Sequence, residues 1–67
     1  MWKKGLSPSL YNLVIQNLIN MINASTKDSY DQEWQVIENS LAPHQQALSY
    51  LKGLYDKPQQ IAAYMLD

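Results

Sequence analysis

Apolar residues recur along the first third of the chain at intervals of three and four, the repeat of one helix face. With Leu10 at zero and about 100° per residue, Leu10, Tyr11, Val14, Ile15, Leu18, Met21 and Ile22 fall within about 140° of one another, and Ile19 stands at the border of that stripe. The opposite arc holds Asn12, Gln16, Asn17, Asn20 and Asn23, with Leu13 among them. Ser7 can accept from the free amides of a first turn, and Pro8 at the first helical position gives up no hydrogen bond. The pattern predicts a helix over residues 8–24.

Segment 25–29 reads Ser-Thr-Lys-Asp-Ser, residues whose side chains compete for backbone groups, and it predicts a loop ending in a cap. Ser29 with Gln32 has capping-box spacing, and Asp28, Asp31 and Glu33 suit the positive end of a helix dipole. Tyr30, Trp34, Ile37 and Leu41 then follow at steps of four, three and four, the seam of a second helix over 29–40.

Pro43 cannot sit comfortably inside a helix and disfavours helical geometry at Ala42, so a break is expected there. A third helix follows, with Ala47, Leu48, Leu51, Leu54 and Tyr55 as its stripe and Gly53 weakening its end. Asp56 as cap and Pro58 in the first turn predict a fourth helix over 57–66, presenting Ile61, Tyr64 and Met65. No stretch sustains the two-residue alternation of a strand. The expected fold is all-α: one domain, 1–67, built as a compact bundle of three to four short antiparallel helices.

Composition narrows the function. The chain is 46% hydrophobic and 16% charged, too apolar for native disorder. Five Lys, no Arg and six carboxylates leave a net charge of -1, a weak field for gathering phosphates or anionic lipids. Without Cys, thiolate chemistry, disulfides and Cys-based zinc sites fall away, and the single His44 leaves little for His-based catalysis or metal ligation. The acids at 28, 31 and 33 have no turning Gly among them for a calcium loop, and Gly5 and Gly53 form no phosphate loop. No enzyme activity, cofactor or small-molecule substrate is therefore expected.

The basic start Met1-Trp2-Lys3-Lys4 lacks the unbroken apolar core of a secretory signal, because amides interrupt residues 12–23 at helical intervals. The same amides count against a spanning helix, and an unprocessed cytoplasmic chain is expected. A membrane-active reading is weak because the polar face lacks Lys and Arg.

The most unusual feature is that residues 5–26 contain no charge. A solvated helix face ordinarily carries Lys and Glu, whereas interface cores are depleted in charge. Asn is also a poor helix former. The amide face, Asn12, Leu13, Gln16 and Asn20, is accordingly expected to meet another protein or a second copy, although an AT-rich coding sequence would give the same composition. Trp2, Leu6 and Tyr50 join the set of expected protein-binding residues, since Trp2 and Tyr50 fall off the predicted stripes and an exposed apolar patch with Met1 and Leu6 is large enough to matter. The expectation is a protein-binding regulator, inhibitor, adaptor or assembly subunit of bacterial or phage origin. The alternative is a DNA-binding regulator using residues 47–66 as a helix-turn-helix, with Gln59 and Gln60 toward the bases. Nucleic acid is disfavoured by the single Lys and absent Arg of the would-be recognition helix.

Overall fold

The structure, a computed structural model, describes residues 5–66. Four helices follow in order: α1 (Pro8–Ile22), α2 (Lys27–Ser40), α3 (Gln45–Lys52) and α4 (Pro58–Leu66). There is no strand among the described residues. The radius of gyration is 10.9 Å, the value of roughly 11 Å expected for a folded chain of this length.

The first helix begins as the sequence predicts. The Ser7 hydroxyl accepts from the Leu10 amide at 3.2 Å, and Pro8 takes the first helical position. Leu6, one residue before the cap, is only 9% exposed and belongs to the core. This corrects its expected place in a surface patch. Its position is that of a hydrophobic staple, which pairs the residue before the cap with the fourth helical residue, here Tyr11, also packed on the core.

The second helix starts at Lys27, two residues before the predicted span, and its cap stands three residues before Ser29. Thr26 is the cap: its hydroxyl oxygen accepts from the Ser29 amide at 3.1 Å and donates to the Ser29 hydroxyl at 3.0 Å. α2 ends at Ser40, and the turn through Leu41 and Pro43 delays α3 to Gln45. There the Gln45 side chain donates to the Ala42 carbonyl at 2.6 Å, holding the turn closed. α3 stops at Lys52, so Leu54 and Tyr55 lie in the following turn rather than on the helix. At α4 the Lys57 carbonyl receives the first helical bond, from Ile61. Lys57, not Asp56, therefore holds the cap position, with Pro58 first in the helix as expected.

α1 packs against both α2 and α4. Its fully buried residues Val14 and Leu18, with Met21, meet Ile37 and Leu41 from the α2 side and Leu51, Ile61 and Met65 from the others in one core. Burying each such side chain contributes roughly 1.5–3 kcal/mol. The Tyr11 hydroxyl donates to the Met65 carbonyl, which sets the start of α1 beside the end of α4 and makes that pair antiparallel. Ile22, expected on the core stripe, is 39% exposed. Ile22 stands on the last turn of α1, whereas Ile15, at a similar angle in mid-helix, is packed against the core.

A second tie holds the other end. The Tyr30 hydroxyl on α2 donates to the Tyr55 carbonyl, and the Tyr55 hydroxyl donates to the Asp31 carboxylate. The Tyr55 ring stands edge-on to Tyr30 and Trp34, with centroids 5.3 Å and 5.2 Å away. Lys27 reaches the same group, at 3.4 Å from both the Tyr55 hydroxyl and the Asp31 carboxylate.

Candidate functional site

Because α2 and α4 cover its flanks, α1 keeps one free side, and that side is the uncharged one. Asn12, Leu13, Gln16 and Asn20 are all exposed there, Leu13 by 37%. Ile19, 41% exposed, lies on the same arc, whereas Ile22, 39% exposed, stands about 180° around the helix from Leu13. The hydrophobic stripe placed these two on or beside the core and so missed them as surface residues. The available signal was the arc width, since two neighbouring helices bury less of a helix than its apolar residues span here.

The amides are not idle. Gln16 donates to the Asn20 carbonyl oxygen at 3.3 Å, and Asn20 donates to the Glu33 carboxylate of α2 at 2.8 Å. Asn17, half-buried, donates back to the Leu13 carbonyl at 2.7 Å. The chain Gln16, Asn20, Glu33 thus runs along the border of α1 and α2, and one carboxylate stands at the edge of the otherwise uncharged face. An amide that donates to Glu33 fixes that carboxylate on the α2 side.

Tyr50 is 41% exposed on α3, and its ring lies 5.2 Å from that of Tyr64 on α4. It is a surface aromatic as expected, packed across the α3 and α4 pair. Leu6 is in the core, and Trp2 and Met1 lie outside the described residues, so only Tyr50 of the expected aromatic patch is placed at the surface.

The titrating groups gather at the Tyr55 tie instead. The Tyr55 hydrogen bond, then Lys27, hold the Asp31 carboxyl below its ordinary value. The bond to Asp31, together with burial, pushes the Tyr55 phenol up, and burial does the same for Tyr30. The bonds to Tyr55 and Asp31 raise Lys27. Each group is thereby held in its usual neutral-pH form. Asp31, expected to serve the dipole of α2, has these specific partners.

His44 is half-buried beside a shallow hollow of about 310 Å³ lined by Gly5, Pro43, Gln45, Gln46 and Ala47. Among the described residues no three His, Asp or Glu side chains converge in a way that could hold a metal ion. No described helix is long and apolar enough to cross a membrane. The exposed surface of α4 carries Gln59, Gln60, Ala63 and Leu66 without a cation, and Lys52 and Lys57 flank the turn before it. Compared with protein-family models, curated proteins and solved structures, the chain matches none of them.

Proposed function

We propose that this chain is a non-enzymatic, cytoplasmic protein-binding module, a regulator, inhibitor, adaptor or assembly subunit, that engages its target through the outer face of α1. One observation carries the reading: the arc of α1 left open by its neighbours combines two part-exposed aliphatic residues, Leu13 and Ile19, with exposed amides and no charge of its own. Depletion of charge within a patch that keeps apolar area marks the centre of protein interfaces. Amides at its edge supply hydrogen bonds without the desolvation cost of buried ions.

The test is photo-crosslinking in the cells that express the protein. A photoreactive residue at Ile19 is expected to form adducts with protein, whereas one at Val36, equally exposed at 41% on α2, is not. Equal labelling from both positions, or none from Ile19, removes the proposal. A DNA-binding role for α3 and α4 predicts instead that binding falls steeply with salt, where an apolar interface changes little.

A further inference from the structure

We propose that Tyr55 is a modification site: a one-electron oxidising radical takes an electron from its ring, the phenol proton passes to Asp31, and the tyrosyl radical left behind is open to nitration. The site stands apart from the α1 face and does not depend on what that face binds. Its ground is the group to which each tyrosine donates. The Tyr11 hydroxyl donates to the Met65 carbonyl, Tyr30 to the Tyr55 carbonyl, and Tyr55 to the Asp31 carboxylate. Removing an electron from a phenol turns it into a strong acid, so oxidation is easiest where a base already holds the hydrogen bond and takes the proton in the same step. A carboxylate is such a base. An amide carbonyl is a far weaker one, and a proton placed on it stays high in energy.

Two neighbouring tyrosines isolate the effect of the acceptor. Tyr30 and Tyr55 are both half-buried, and their rings meet edge-on with centroids 5.3 Å apart, so small radicals reach both. What separates them is carbonyl against carboxylate. The Asp31 side chain is 44% exposed, which lets the acid formed there return its proton to water. Lys27 lies 3.4 Å from the Tyr55 hydroxyl but carries only donors and cannot take the proton. Its side chain is 78% exposed, so its charge acts through water and opposes loss of the electron only weakly.

Nitration takes two radicals. The first, a carbonate radical anion, gains one electron and becomes carbonate, while Tyr55 becomes a neutral tyrosyl radical and Asp31 a neutral carboxylic acid. The second, nitrogen dioxide, forms a carbon–nitrogen bond at the ring carbon next to the one that bears oxygen. The hydrogen on that carbon then moves to the phenolic oxygen and restores the aromatic ring. The nitro group makes the hydroxyl acidic, and the resulting phenolate can neither donate to Asp31 nor stand beside it without repulsion. Nitration thereby unties the turn after α3 from the start of α2.

Peroxynitrite added to the full chain in bicarbonate buffer releases both radicals, and peptide mass spectrometry reads the nitro group at each tyrosine. In the folded chain Tyr55 is expected to be nitrated ahead of Tyr30 and Tyr11. In the chain unfolded by urea that lead is expected to vanish. Asp31→Asn, folded by circular dichroism, keeps an acceptor oxygen but no base, and is expected to bring Tyr55 down to the level of Tyr30. The chain nitrated at Tyr55 is expected to melt at a lower temperature than the unmodified chain at neutral pH. Equal nitration of Tyr30 and Tyr55 in the folded chain overturns the assignment of the site, as does a lead for Tyr55 that survives unfolding or Asp31→Asn. An unchanged melting temperature overturns the release of the tie.

Discussion

Tyr55 donates its hydroxyl to the Asp31 carboxylate, and this bond ties the turn after α3 to the start of α2 across 24 residues of sequence. It fixes a stability profile with two edges. Asp31 is held below 3.8, so its contribution is complete above that ordinary value and is lost as acid protonates the folded carboxylate. Tyr55 is raised above 10.0, so its contribution is complete below that value and is lost as alkali ionises the phenol. Thermal melts are expected to be nearly flat between about pH 5 and pH 9 and to fall on both sides. Tyr55→Phe should lower the melting temperature and soften both edges. An unchanged acid edge in that variant would show that Asp31 does not depend on Tyr55.

Tyr30→Phe tests the other half of the tie. It removes the bond to the Tyr55 carbonyl while keeping the ring that stands against Tyr55. The expected cost is about 0.5–1.5 kcal/mol, read as a shift in the urea midpoint.

Trp34 links the tie to the core, being buried on α2 and edge-on to Tyr55. Trp34→Ala is expected to cost about 3–5 kcal/mol, close to the whole stability of a domain this small. Chemical denaturation measures it, and little change in the midpoint would place the indole outside the core.

How far the sequence could be read follows from the range of the interactions. Pro8 and Pro58 were legible because proline fixes the backbone angle and gives up only an amide that has no helical partner. The seam from Tyr30 to Leu41 was legible because spacing alone reports a helix face. Thr26 and Ser29, by contrast, both carry oxygens fit to cap a helix, and three-residue spacing serves either of them. What separates them is tertiary: Tyr30 and Asp31 reach Tyr55 from the first turns of a helix that has already begun at Lys27. Pairings across 24 and 25 residues leave no periodic trace. On α1 the uncharged face was legible from composition, but its aliphatic half was not. Ile19 and Ile22 are consigned to solvent by where α2 and α4 stop covering α1, which no single-helix projection contains.

Leu6 separates structure from binding. Leu6→Ala is expected to destabilise the chain by about 2 kcal/mol or more through loss of its buried side chain. Ile19→Lys is expected to stay within about 0.5 kcal/mol of the unsubstituted chain, because that side chain is already 41% exposed. Parallel thermal melts distinguish the two, and equal losses would contradict the placement of both residues.

The amide row supplies the last expectation. Asn12, Gln16 and Asn20 all point away from the core, so replacing the three together with Lys should leave the helical fold in place. The three positions are not equivalent. At residue 20 the new ammonium arrives beside the Glu33 carboxylate that Asn20 engages at 2.8 Å, and a hydrogen bond is exchanged for an exposed ion pair worth about 0–1 kcal/mol. At residues 12 and 16 no carboxylate is described as a partner, so these two ammonium groups carry the cost of being covered by another protein surface. The triple variant and the Asn12→Lys, Gln16→Lys double variant should therefore lose association alike, while Asn20→Lys alone should lose much less. Circular dichroism melts with sedimentation velocity check both halves. Retained association in the triple variant would return the amide row to solvent and leave its composition to the coding sequence.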